Sequence, residues 1–193
     1  NLQTRLSADD AAELDAVIDE STRLAALVGD LLQLARADEQ APAGAVDLRE
    51  LVAGRADMWS ALADERGIAI EGNVPDSEVI ARAVPGAVDQ VLDNLLDNAL
   101  NASPDGATVR LELTPGPTQH VLTVTDEGPG LGDEDKARAL RRFWRGDAST
   151  PGTGLGLAIA QALVSGSGGT IELTDAAGTG LRVTVCLPAW RRP

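Results

Sequence analysis

Three asparagines, Asn94, Asn98 and Asn101, stand at i, i+4 and i+7 in the stretch PGAVDQVLDNLLDNALNAS from Pro85 to Ser103. Asparagine prefers caps and turns to helix interiors, so a row of it along one helical stripe needs a reason. A row of carboxamides presents neutral oxygens and N–H groups to whatever lies above the helix. A hydrated magnesium ion with phosphates is one such occupant, because magnesium is a hard cation that takes oxygen ligands. A plain solvated face is the other reading of the same stripe. Downstream, Asp126–Glu127–Gly128–Pro129–Gly130–Leu131 directly follows a strand pattern. Pro129–Gly130 fits the centre of a type II turn, and Gly128 and Gly130 remove side chains where another surface approaches the backbone. A buried Asp126 carboxylate offers only acceptors, and the exocyclic amine of adenine is a donor that suits it. The same residues also suit a simple turn. A third stretch, Gly152–Thr153–Gly154–Leu155–Gly156–Leu157, runs into a helix, whose first N–H groups are free to meet an anion. It is no P-loop, since no Gly-Lys-Ser/Thr follows, and no dinucleotide fingerprint, since a loop precedes it and the glycine spacing differs. Arg142–Phe143–Trp144–Arg145 sets two aromatics between arginines at a loop edge, in a chain with one Phe and three Trp. A hydrophobic anchor for that loop accounts for it equally well.

These residues need elements to hold them. Val88, Val91, Leu92, Leu95, Leu96 and Ala99 share one side of the asparagine stretch, at the spacing of a core-facing helix, and Pro85 suits its first position. A helix is expected over about Asp47–Arg66, with Asp47 as N-cap and Gly67 as stop. Ile68–Ile70 and Val79–Ala81 read as short strands. Val109–Leu113 and His120–Thr125 read as one hairpin across Pro115–Gly116–Pro117, and Thr170–Thr174 with Gly180–Leu187 as another around Ala177–Gly178. Helical character is expected over Asp133–Trp144 and again over Gly154–Ser165. Ahead of all this, Leu14, Val17, Ser21, Leu24, Val28, Leu31 and Ala35 step by alternating three and four residues, a bundle seam that Leu27, Leu32 and Leu34 widen. Ala37–Val46, with Pro42 and Gly44, interrupts the periodicity. The expected organisation is therefore a bundle-type helix over residues 1–38, a linker over 39–46 and a domain over 47–190. Two hairpins imply antiparallel pairing, so the fold class is α+β: a two-layer sandwich of helices on a mixed, largely antiparallel sheet.

Composition narrows the chemistry. The chain has 193 residues, 44% of them hydrophobic but only 2% aromatic, so its core rests on Leu, Val, Ile and Ala. A net charge of −14 excludes a general nucleic-acid binder, which needs a basic footprint. It leaves room for a nucleotide held by backbone N–H groups and a metal. The single cysteine, Cys186, excludes an internal disulfide and a cysteine-based zinc site, and reads as a buried small hydrophobe in a strand. No run is apolar enough to span a membrane.

In this order and spacing the stretches are specific. The chain resembles the sensor histidine kinases of bacterial two-component systems. Asp93–Asn94–Leu95–Leu96–Asp97–Asn98–Ala99 is similar to their N box, Asp126-x-Gly128-x-Gly130 to the G1 box, Arg142–Phe143–Trp144–Arg145 to the F box, and Gly152–Leu157 to the G2 box. The resemblance covers the whole chain. It implies a Bergerat-type ATP-binding domain, with residues 1–38 the C-terminal part of a dimerisation and phosphotransfer hairpin. It implies ATP and magnesium as cofactors. Asp126 would take the adenine amine, Asn98 would ligate magnesium with Asn94 and Asn101 beside it, and Gly128, Gly130 and Leu131 would line the adenine turn. Thr153, Gly154, Leu155, Gly156 and Leu157 would hold phosphates, and residues 131–153 would form a lid. The partners implied are ATP and ADP, the parent's hairpin, a response regulator, and a second copy in the parent dimer. The location implied is the cytoplasmic portion of a membrane-anchored parent.

Three departures stand out. Where the family often has a basic residue and then an aromatic, this chain has Asn101 and Ala102. The lid loop Gly146–Pro151 is short. The sole histidine, His120, lies in a strand pattern, so the phosphoacceptor is expected outside this chain and the chain alone is expected not to phosphorylate itself. The alternatives are a degenerate nucleotide-binding regulatory module and a dimerising scaffold that binds no nucleotide.

Overall fold

The computed structural model describes residues 17, 18, 20, 21, 24, 25, 27–29, 42–146 and 153–191. Within them the order is β1 (Gly44–Asp47), α1 (Leu48–Glu65), β2 (Ala69–Asn73), β3 (Ile80–Ala83), α2 (Ala87–Ala102), β4 (Thr108–Thr114), β5 (Gln119–Thr125), α3 (Asp133–Ala139), α4 (Gly156–Gly166), β6 (Thr170–Asp175) and β7 (Leu181–Pro188). Five strands form one sheet in the order β2-β4-β5-β7-β6, and β1 pairs with β3 in a second, small sheet. Only β2 and β4 run parallel; every other pair is antiparallel. Both expected hairpins are present, and the helix-on-mixed-sheet class is the one observed.

Alternation builds the layer. Along β7, Leu181, Val183, Val185 and Leu187 are buried while Arg182, Thr184 and Cys186 between them are half-buried. Val109, Leu111 and Leu113 of β4 and Leu122 and Val124 of β5 join the same inner face. Residues two apart share a face of a strand, so one side of the sheet is a continuous apolar floor. Helix α2 lays Val88, Val91, Leu92, Leu95, Leu96, Ala99 and Leu100 on it, each buried leucine contributing roughly 2 kcal/mol. Leu48 and Val52 of α1 and Ile159 and Leu163 of α4 complete the core.

Four local expectations change. Pro85 does not begin α2; Gly86, in the left-handed region at φ 78°, is the N-cap and Ala87 the first helical residue. Residues 44–46, read as linker, form a strand with Asp47, Val46 facing Ala81. Asp47 does cap α1, its Oδ1 accepting from Arg49 N at 2.9 Å. The helix after the Asp126 turn stops at Ala139, and Phe143 at φ 63° carries the chain away from helical geometry. Cys186 is half-buried on the sheet's other face, because the core takes the odd-numbered residues of β7. Of the expected N-terminal helix, residues 17, 18, 20, 21, 24, 25 and 27–29 are described, and all of these are helical. Val17, Leu24 and Val28, on the expected seam, are 57%, 53% and 57% exposed. Ser21, also on that seam, is exposed, and Leu14, Leu31 and Ala35 lie outside the described residues.

Candidate functional site

Asp126 continues the β5–β7 ladder by one residue. Its N–H donates to Leu181 O at 3.0 Å, and the buried side chain accepts on Oδ1 from Leu181 N at 3.0 Å and from Gly128 N at 2.9 Å. Among the described residues, both bonds fall on Oδ1 and Oδ2 receives none. Burial pushes the carboxyl above its usual range, against the lowering effect of the two backbone donors. The turn beyond is built from close approaches. A Cβ on Gly128 would stand 2.6 Å from Ala102 O, so the turn lies directly against the end of α2, and Gly130, at φ 71°, packs on Gly180. Leu131 packs, half-buried, on the core. Glu127 faces away, its Oε2 accepting from Thr108 N at 3.0 Å and its Oε1 from Arg110 at 2.8 Å.

The asparagine stripe runs along the flank of α2, half-exposed. Asn94 donates Nδ2–H to Gln90 O at 2.9 Å, which leaves its Oδ1 as the outward atom. That oxygen would be 3.3 Å from a Cβ on Gly156, so the N-terminus of α4 sits against it. Among the described residues no side chain caps α4, and the first N–H groups of a helix lack internal partners. Thr153 Oγ1 accepts from Leu155 N at 3.2 Å just ahead of it. The Asn98 side chain has no hydrogen bond among the described residues, whereas Asn101 Oδ1 accepts from Arg66 Nη1 at 2.9 Å. Magnesium takes oxygen ligands and keeps several waters, and the amide oxygens of Asn94 and Asn98 are ligands of that kind; the N-terminus of α4 beside Asn94 suits the phosphates instead. The structure therefore brings Asn94 to the glycine stretch at Gly156, and the Asp126 turn to the last residue of α2.

Three further supports hold this arrangement. Asp93 Oδ1 accepts from Trp59 Nε1 at 2.9 Å and from Arg55 Nη1 at 3.1 Å, and Arg55 Nη2 bonds Asp89 at 2.9 Å. These contacts fix the rotation of α2 against α1. At the loop, a Cβ on Gly154 would stand 2.7 Å from Trp144 O and 3.1 Å from Phe143 C, so the two ends of the segment 143–154 touch. Trp144 packs on the core and is the anchor the sequence suggests; Phe143 is 60% exposed and is not. Lys136 of α3 ties down the preceding segment through Asp133 at 3.0 Å and Asp175 at 2.6 Å. Gly152 and the loop residues 147–151 lie outside the described residues.

Sequence reasoning missed Gly180 and Leu181. Gly180, at φ 117°, packs so closely on the Asp126 carbonyl that a Cβ there would overlap it. The available signal was Gly178–Thr179–Gly180 in a hairpin turn. His120, the sole histidine, is buried with both ring nitrogens engaged: Nδ1 accepts from Gly116 N at 3.2 Å, so Nε2 carries the proton to Ile80 O at 3.0 Å.

The family model described as "Histidine kinase-, DNA gyrase B-, and HSP90-like ATPase" matches residues 83–191, the span from the last residue of β3 to just past β7. The sensor-like histidine kinase SenX3 of Mycolicibacterium smegmatis is 31% identical over 193 residues, which is 93% of this chain and 48% of SenX3. The chain thus spans about half the length of that relative. Among solved structures, the mycobacterial sensor histidine kinase MprB matches with a TM-score of 0.66 at 28% identity, over 78% of this chain and 99% of that one. Full-length ShkA in complex with AMPPNP matches with a TM-score of 0.78 at 28% identity, over 98% of this chain and 41% of that one. With its glycine turn, asparagine stripe and uncapped helix inside the matched span, the chain belongs to the histidine kinase-, DNA gyrase B- and HSP90-like ATPase family, and its relatives within that family are sensor histidine kinases.

Proposed function

We propose that this chain is the ATP-binding catalytic part of a two-component sensor kinase, and that it transfers the γ-phosphoryl group of MgATP to a histidine outside these residues. The observation that carries the reading is the buried Asp126 carboxylate, held through one oxygen beside the end of α2 with its other oxygen unbonded among the described residues. An acceptor so placed suits the adenine amine, with Gly128, Gly130 and Leu131 flanking the base. Thr153, Gly154, Leu155, Gly156 and Leu157 are suited to phosphates, which the N-terminus of α4 attracts through its free N–H groups and dipole. Asn98, with Asn94 and Asn101 along the stripe, is suited to magnesium and phosphate oxygens. Magnesium, when bound, would neutralise charge on the transferring group. Asn94 is an amide and cannot act as a general base on water, which favours transfer to an acceptor over hydrolysis. The chain's own contribution is then to bind, orient and screen the phosphates.

On this reading residues 1–38 belong to a dimerisation and phosphotransfer hairpin, the residues from 39 onward join it to a catalytic domain that begins with β1 at Gly44 and runs to 190, and the parent acts as a membrane-anchored homodimer with a response regulator downstream. Among the described residues no helix is long and apolar enough to cross a membrane. Incubation with radiolabelled MgATP tests the assignment. The chain alone should bind nucleotide and stay unlabelled, since both nitrogens of His120 are engaged, and a separately supplied helical hairpin carrying a histidine should take the label. Acid-labile label on the isolated chain, lost in His120→Ala, would overturn it.

A further inference from the structure

Two carboxamides of the α2 stripe are fastened by opposite ends. Asn94 spends its N–H on Gln90 O and shows oxygen; Asn101 spends its oxygen on Arg66 and shows N–H. The partners leave no choice of orientation, because a carbonyl only accepts and a guanidinium only donates. An oxygen suits a metal ion, while an N–H suits an anion. The Asn101 end of the stripe is a poor place for an anion by itself. A helix C-terminus is the negative end of its dipole, α2 carries no basic residue in its last turn, and the chain as a whole has a net charge of −14. Arg66 meets this need from another helix. It is the C-cap of α1, its backbone N–H bonded to Ala63 O at 2.9 Å, and α1 is itself fastened to α2 through Arg55, Asp89 and Asp93. The guanidinium thus reaches Asn101 from a fixed base.

We propose that Arg66 is a positioning residue for nucleotide phosphate: it turns the Asn101 amide so that Nδ2–H donates to a phosphate oxygen, and its charge offsets the dipole at that end of α2. This rests on the reading of the stripe as nucleotide-facing. Calorimetric titration of the 193-residue chain with ADP and with adenosine, magnesium present, tests it. Arg66→Ala should weaken ADP about five- to tenfold, the loss of one oriented hydrogen bond and its charge, while adenosine affinity and the melting temperature stay unchanged. Arg66→Lys, which keeps a donor and the charge, should recover most of the loss. ADP affinity unchanged in Arg66→Ala, or ADP and adenosine weakened by the same factor, overturns the proposal. Asp126→Asn, run beside it, separates the failures. If that variant loses binding and Arg66→Ala does not, only the role of Arg66 falls; if neither variant changes binding, the nucleotide site itself is misplaced and both readings fall.

Discussion

In Asp126→Asn, the two donors on Oδ1 dictate what the amide does. Gly128 N–H and Leu181 N–H at 2.9 and 3.0 Å must still meet an oxygen, because the flipped amide would set NH2 against two N–H groups. Nδ2 therefore occupies the place of Oδ2 and faces the site as a donor. Against an adenine amine, an acceptor has been replaced by a second donor. Loss of a hydrogen bond to a charged group costs roughly 1.5–3 kcal/mol, so ADP affinity should fall about ten- to a hundredfold. Stability should move the other way. Burial raises the Asp126 pKa in the folded chain, so between the unfolded and folded values the folded state binds more protons. Stability then falls as pH rises through that window, and the ionised carboxylate is a net cost above it. The amide cannot ionise, so the variant should melt at or above the wild-type temperature at neutral pH and lose that part of the pH dependence. Titration with ADP and thermal melts from acid to neutral pH read both effects. Equal ADP affinities would remove Asp126 from the site, and a clearly lower melting temperature at neutral pH would show that its charge stabilises the fold.

Asn98→Ala should abolish the gain in nucleotide affinity that magnesium gives over a chelator; a full magnesium response in the variant would place the metal elsewhere. Gly180→Ala forces a Cβ into the Asp126 carbonyl at φ 117°, so it should cost roughly 2–4 kcal/mol of stability and weaken ADP, and a variant that melts and binds like wild type would break the link between the hairpin and the site. His120→Ala strands Gly116 N and Ile80 O; it should cost roughly 2 kcal/mol in denaturant unfolding while leaving ADP affinity unchanged.

What was legible in the sequence was carried by side-chain type at short spacing. The i, i+4, i+7 asparagines mark a stripe because helix geometry repeats over that distance. The alternation in β4, β5 and β7 marks one face of a sheet for the same kind of reason. Asp126 was legible as a carboxylate at a strand end before a glycine turn. The parts that were not legible are long-range or made by backbone atoms. Leu181 holds Asp126 through its N–H from 55 residues away, and any residue but proline could supply that group. Arg66 reaches Asn101 across 35 positions, which no local pattern encodes. The four residues of β1 are too few to show alternation, and their strand exists because β3 pairs with them.

The site depends on two independent registers meeting at one contact. On the sheet side, Thr125 faces Arg182 and the ladder runs on to the Asp126–Leu181 exchange. A one-residue slip of β5 against β7 would turn Asp126 to the other face, so the hydrophobic alternation that builds the core also aims the carboxylate. On the helix side, Arg55 and Trp59 grip Asp93 and thereby set the rotation of α2, one residue before Asn94. The two sides join where Gly128 lies against Ala102 O, too close for a Cβ. A side chain there would push the turn off the helix and change the distance between Asp126 and the asparagine stripe while leaving both registers intact. Core packing fixes each half of the site, but the separation of the halves rests on the missing Cβ of Gly128.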